Sequence, residues 1–457
     1  MCIPELCWPY IYQAYCNLAL ASTNVNHSLL QGYALVILSK RTSPVKNKLL
    51  KRCPEGVYQI AFPTTPHVFF PPKAMKELSA STSCSFQAYK SDILLDKYSY
   101  RGEENLVPRA VIRAMSNNLD VVIKSFGADV AYAFETVFGS CDDWTTVDQI
   151  WPSTFRIASI MSSRPILGKE LSRDTELFAA VTEYFRTPER LGRQSDAGTS
   201  NHSLFFESRL PWIHALVKAR DQIEDLMMPV IQRHLDRYIA TGKDCKSRGI
   251  AAIHSDGGEL LDWMIPEYLN PVPKKLARDE VTIILKSVMN ISGGLTHSLF
   301  NFFKYSEYHD PLGEEYEEGM MREFSGLNKA AVFKMKKMES FMKGTHRLNP
   351  PSINTGHYEK SCRSERCVAL HARASPTLFP EPKKFDGYRF HRMRQVPGEE
   401  FRHQLTSTSN SEIIFSLGGH AYPGRIFFPA LEKAFLSLLL TNYDVRVKPD
   451  HENEDSR

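Results

Sequence analysis

The segment FSLGGHAYPGRIFFPALEK, from Phe415 to Lys433, carries the residue types best suited to chemistry. Gly418, Gly419 and Gly424 let the backbone come close to something flat, and they also permit positive φ. Pro423 stiffens the turn, and an apolar helical pattern starts directly after it. A loop feeding a helix N-terminus presents backbone N–H groups and the positive end of the helix dipole. Such a site favours an anionic ligand atom. By spacing alone, the same residues also describe a plain glycine loop before a helix. Nine cysteines are scattered through the chain with no CxxC, which points to a reducing compartment rather than a disulfide framework. Cys362 and Cys367 form a lone C-x4-C flanked by His357 and His371. A zinc site needs a tetrahedral ligand set, and the better reading here is two ordinary thiols in a loop.

The elements that must position this loop follow from periodicity. The chain has 457 residues, 42% hydrophobic and 24% charged. That composition excludes a mainly disordered chain, a collagen and a polytopic membrane protein. The length allows two to three domains or one large one. The net charge of +4 is spread along the chain, which argues against a nucleic-acid-binding tail. Apolar spacing predicts helices over 108–137, 145–165, 211–240, 277–305, 314–347 and 426–440. The pattern over 277–305 reads as one long buried helix, although Asn290, Ser292, Gly293 and Gly294 at its centre are poor helix formers. Residues 57–70 read as two short strands around a Thr-Thr-Pro turn. Polar composition predicts loops at 187–209 and 241–258 and an irregular stretch over 349–411. Residues 8–21 are apolar, but a spanning helix needs about 20 residues. They read as an amphipathic helix packed on the body, with interfacial membrane contact as the alternative. The expected fold class is mainly α with a small β region, near residues 57–70, and another β component late in the chain.

These segments, in this order, resemble the cytochrome P450 superfamily of haem-thiolate monooxygenases. Phe415, Gly418 and Gly424 match its haem-loop pattern F-x-x-G-x-x-x-C-x-G, and His420 and Arg425 suit common variants. FDGYRF (385–390) resembles the segment before that loop, with Arg389 at the arginine position. SFMKGTHRLNPPS (340–352) resembles the helix bearing E-x-x-R, with Arg347 as its arginine. ISGGLTHSLFNFF resembles the distal helix over the haem, whose acid-or-amide and threonine pair falls at Asn290 and Ile291, with Ser292 next. The wording is most similar to filamentous-fungal members that oxidise terpenoids, indole-diterpenes or related secondary metabolites. The resemblance implies one large domain over 51–450, an N-terminal segment 1–50 without a clear anchor, and a polar tail at 451–457. It also implies haem held by Phe415, Gly418, His420, Tyr422, Gly424, Arg347 and Arg389. A small hydrophobic substrate and a reductase would be the partners. Arg392, Arg394 and Arg402 could offer the reductase a basic face, or form an ordinary solvated patch. The resemblance places the protein inside the cell, at the endoplasmic reticulum surface or in the cytoplasm.

Three departures touch the chemistry. Tyr422 stands where the family has its axial cysteine thiolate, the ligand that favours O–O cleavage. Gly344 stands where the E-x-x-R glutamate should be, and Ile291 replaces the threonine. The interval from Arg347 to Phe385 is also short for the family. A phenol ionises near pH 10, so Tyr422 either fills an unused space or ligates as tyrosinate, as in catalases. Losing one partner of a buried charged pair costs about 3–5 kcal/mol, so Arg347 and Arg389 should turn to backbone carbonyls, His346 or water. Glu339 lies on the wrong face of its helix to replace the missing carboxylate. Three readings follow: a monooxygenase-like protein with little or no activity, a haem protein with tyrosinate ligation, and a non-catalytic interaction protein on the same fold.

Overall fold

In the computed structural model, the described residues are 34–37, 58–61, 67–70, 77, 84–85, 98, 117–140, 143–147, 149–195, 211–240, 259–319, 327–349, 357–360, 366–369, 379–409, 412, 414–417 and 421–446. The apolar stretch at 8–21, Gly418, Gly419, His420, Cys362, His371 and the tail at 451–457 lie outside them.

Six short strands among the described residues form one sheet in the order β1-β2-β3-β6-β5-β4. They are β1 (Ala34–Ile37), β2 (Tyr58–Ala61), β3 (His67–Phe70), β4 (Cys84–Ser85), β5 (His357–Lys360) and β6 (Arg366–Ala369). The expected strand pair at 57–70 is β2 and β3, antiparallel with Tyr58 opposite Phe69. β6 runs parallel to β3, with His67 opposite Arg366, and antiparallel to β5, with Tyr358 opposite Cys367. The late hairpin is the second β component expected late in the chain, and it sets two strands within the stretch 349–411 that reads as irregular. Each of its strands has only four residues, too few to show a period-2 pattern. A strand partner from the far end of the chain supplies the pairing.

The helices are α1 (Leu119–Phe138), α2 (Ile150–Ser172), α3 (Thr175–Ser195), α4 (Pro211–Ala240), α5 (Leu260–Met264), α6 (Pro273–Lys304), α7 (His309–Glu317), α8 (Lys329–Lys334), α9 (Lys336–Leu348), α10 (Arg389–Met393) and α11 (Phe427–Asn442). α3 overruns the predicted loop at 187–209. Its buried residues Leu177, Ala180, Val181 and Tyr184 recur at helical spacing, and the backbone continues helical past the polar composition to Ser195. α1 shows the same logic, burying Leu119, Val122, Ile123, Phe126, Val130 and Phe134. It stops at Gly139, whose φ of 72° suits glycine.

α6 is the axis of the core. It packs along α2 and α4 and meets α9 and α11. Neighbours on so many sides explain why it is apolar around most of its circumference. No helix among the described residues is long and apolar enough to cross a membrane.

One electrostatic tie fixes the outer helices. His234 of α4 is buried, and its Nε2 lies 2.8 Å from Glu259 and its Nδ1 2.7 Å from Asp262. Burial pushes this imidazole down, but hydrogen bonds that it donates to Asp262 and Glu259 outweigh that and raise it from 6.5 to about 9. A raised folded pKa stabilises fully below the unfolded value. The contribution is therefore present below pH 6.5 and lost as pH rises through about 9. Thermal melts across that window should fall for the native chain, and His234→Gln should flatten the fall.

Candidate active site

The loop that the sequence singled out is closed by a backbone hydrogen bond, Tyr422 N–H to the Phe415 carbonyl at 2.8 Å. Ser416, inside the turn, has a φ of 63°, a conformation that non-glycine residues rarely adopt. Pro423–Arg425 make one 3-10 turn, and α11 follows. Phe415 is buried, its ring stacked on Tyr422 at 6.1 Å and edge-on to Phe428 at 6.2 Å.

Tyr422 lies against Gly424. A β-carbon at Gly424 would come 2.8 Å from the Tyr422 ring and 2.9 Å from its hydroxyl oxygen. That glycine is thus required by the phenol beside it. Tyr422 keeps some exposed surface. Burial pushes its phenol above the ordinary value, and the polar neighbours Asn290 and Ser287 of α6 only partly offset the rise.

Of the two distal-helix positions, the structure brings Asn290 to the loop and leaves Ser292 away from it. Ser292 is buried and donates to the Met289 carbonyl at 3.1 Å. The nearby Thr296 hydroxyl donates to the Ser292 carbonyl at 2.7 Å and lies 2.6 Å from the Thr154 hydroxyl. Sequence reasoning missed Ser287. It sits three residues before Asn290, one helical turn away on the same face.

The glycines of α6 also have a packing reason. A β-carbon at Gly294 would lie 2.3 Å from the Phe428 ring of α11. The helix tolerates glycine there because bare backbone lets the two elements touch. Gly294→Ala should therefore destabilise by about 1–3 kcal/mol through overpacking. Phe428→Ala in the same chain should relieve much of that clash, giving a non-additive double-mutant cycle in urea unfolding.

Behind the loop, Arg347 and Arg389 turn to backbone carbonyls. Arg347 donates to Pro382 and Lys384 at 2.5 and 3.3 Å. Arg389 donates to Pro380 and Glu381 at 2.6 and 3.4 Å. Both therefore dock on one stretch, 380–384. Gly344 packs under the neighbouring residues, and a β-carbon there would lie 3.3 Å from both the Asp386 carbonyl oxygen and the Phe385 ring.

Glu339 anchors a separate network. It accepts from Arg394 at 3.1 Å, Lys433 at 3.3 Å and the Leu405 N–H at 2.8 Å. This corrects the surface reading of Arg394, whose side chain is 8% exposed. Arg392 and Arg402 are exposed, but they pair with Asp386 and Glu399. Lys343 is buried on Glu412 at 2.6 Å, and His346 on Glu432 at 2.8 Å. Glu432 also accepts from Ser298 of α6. The buried face of α9 is thus held by ion pairs and hydrogen bonds rather than by apolar packing alone.

The haem implied by the resemblance would lie between α6 and the loop. The residues present do not fit it. The position of the ligand offers a phenol whose ionisation burial pushes above its ordinary value, in place of a thiolate. Among the described residues there is no cluster of three or more His, Cys, Asp or Glu side chains placed to hold a metal ion.

No protein-family model matches the chain. Curated relatives do. The cytochrome P450 monooxygenase ataF of Aspergillus terreus is 31% identical over 381 residues, covering 79% of this chain and 74% of that protein. The cytochrome P450 monooxygenase ascG of Acremonium egyptiacum is 27% identical, covering 76% and 70%. The cytochrome P450 monooxygenase gliF of Aspergillus fumigatus is 27% identical, covering 86% and 81%. Among solved structures, the retinoic acid-bound cyanobacterial CYP120A1 superposes with a TM-score of 0.62 at 14% identity, covering 88% of this chain and 87% of that one. The heme domain of cytochrome P450DA does so equally well, also at 0.62 and 14%. Those structures establish the fold, and the 31% relative, aligned over most of both chains, establishes the lineage: this chain belongs to the cytochrome P450 monooxygenase family.

Proposed function

We propose that this protein is a member of a fungal secondary-metabolism branch of the family that has lost haem-thiolate oxygen activation. One observation carries the reading. Tyr422 occupies the ligand position, and burial pushes its phenol above the ordinary value. A phenol cannot supply the thiolate push that favours O–O cleavage. The alternative of tyrosinate ligation needs an easily ionised phenol, whereas burial raises this one. Ser292 and Thr296 support the reading a second time, because their hydroxyls are already engaged in helix and cross-helix bonds.

The ancestral substrate is a small hydrophobic molecule of the terpenoid or indole-diterpene kind. A reductase partner would matter only to an active member. The test is turnover. Purified protein, supplied with haem, reductase, NADPH and a panel of such substrates, should yield no oxidised product above the no-enzyme control. Reductant-dependent oxidation of any of them would overturn the reading.

A further inference from the structure

Glu280 of α6 is fully buried, and neither of its carboxylate oxygens has a hydrogen-bond partner among the described residues. An ionised carboxylate enclosed in this way is so costly that the group takes a proton instead. The neighbouring groups do not offset that cost. Asp279, next to it in α6, is itself buried and accepts from the Tyr268 hydroxyl. Tyr268 ends the segment 259–268, whose beginning carries Glu259 and Asp262, the two partners of His234 of α4. Arg237 of α4 stands 3.9 Å from Asp262, and Arg278 of α6 stands 3.7 Å from Glu224 of α4. Lys275 lies over the Tyr268 ring at 5.6 Å. α2 meets this network with bare backbone, since a β-carbon at Gly168 would run into the Glu259 carboxylate. His234, Arg237 and Arg278 are thus each matched to a carboxylate other than Glu280.

We propose that the junction of α4, the segment 259–268 and α6 is a proton-dependent latch: Glu280 is carried as the neutral acid and His234 as the imidazolium, and loss of these two protons with rising pH loosens α6 from its neighbours. The two groups act in one direction. Burial first, and then the charge of Asp279, push the Glu280 carboxyl well above its ordinary 4.5; His234 pulls it back, and Glu259 adds a smaller push upward. A raised folded pKa stabilises fully below the unfolded value. The Glu280 contribution is therefore whole below pH 4.5 and falls as pH climbs from there. His234 adds its own loss between pH 6.5 and about 9. An ionised Glu280 would share the core with Asp279, and local opening relieves it by letting water reach the carboxylate. Such opening frees one junction without unfolding the whole chain. The latch does not depend on whether the protein turns over a substrate.

The experiment uses the full chain and has two readouts. The first is the infrared carbonyl stretch of a protonated carboxyl, compared between the native protein and Glu280→Gln at about pH 6, between the two values that govern the latch. The native spectrum should hold a band that the variant lacks. The second is amide hydrogen exchange at about pH 6 and about pH 9, corrected for the intrinsic exchange rate. Peptides covering 259–285 of the native protein should lose protection at least about tenfold more than those from α9 and α11. Glu280→Gln, which copies the shape of the neutral acid, should shrink that loss, and Glu280→Gln with His234→Gln should abolish it. If Glu280→Gln does not fold, Glu280→Met keeps the side-chain length without a charge and serves in both comparisons. The native chain's own exchange needs no variant. Identical infrared spectra for the native and variant proteins would overturn the latch. So would equal protection of 259–285 at the two pH values, or a loss that persists undiminished in the double variant.

Discussion

Replacing Glu339 with alanine should cost about 3–5 kcal/mol, the usual penalty for leaving buried charges without their partner. A domain is stable by about 5–15 kcal/mol, so the variant should be largely insoluble or unfold at much lower urea. The reason is geometric. Glu339, Arg394 and Lys433 have side chains only 8%, 8% and 4% exposed. Without the carboxylate, two cations are left in the core and the Leu405 N–H loses its acceptor. Glu339→Gln should lie between, since it keeps the shape and one acceptor. The pH response follows the same pairing. Burial pushes the Glu339 carboxyl up, but Lys433, Arg394 and the Leu405 N–H outweigh it and hold it below its ordinary 4.5. A lowered folded pKa stabilises above the unfolded value. That contribution is therefore present above pH 4.5 and lost as pH falls through the lower folded value. Glu339→Gln should remove this part of the acid sensitivity.

Tyr422→Cys should produce the second large effect. It removes the phenol from between α6 and the loop, and it places a thiol where the family has its ligand. Supplied with haem during expression, the variant should take up far more of it than the native chain and gain a thiolate-type band with carbon monoxide. Its melting temperature without haem should fall, because the ring that packs on Phe415 and Gly424 is lost. Adding Gly344→Glu should not help as the sequence motif suggests. Arg347 and Arg389 already donate to carbonyls, and the new β-carbon would press on the Asp386 carbonyl and the Phe385 ring at 3.3 Å. The double variant should melt below Tyr422→Cys alone, by an overpacking cost of about 1–3 kcal/mol.

What could be read in the sequence depended on the range of the cause. α4 runs over Pro211–Ala240, the predicted bounds, and α6 lies within a few residues of prediction, because long periodic patterns record local burial. A late β component was expected, but the bounds of the β5–β6 hairpin could not be read, because its stability comes from pairing with β3, nearly three hundred residues earlier in the chain. The Glu339 network was hidden for the same reason. Glutamate on a helix is ordinary, and its partners stand 55, 66 and 94 residues away. At the site, residue types marked the loop and Tyr422 as the position where chemistry departs. Which wall the phenol reaches depends on how α6 lies over the loop, and no spacing within either segment encodes that.

The most direct test of the account is the absorption spectrum of the purified native protein, supplied with haem, before and after dithionite and carbon monoxide. The account predicts substoichiometric haem and no thiolate-type carbon-monoxide band, because residue 422 offers a phenol that burial keeps from ionising, and no thiolate. Stoichiometric haem with that band, accompanied by reductant-dependent substrate oxidation, would contradict it.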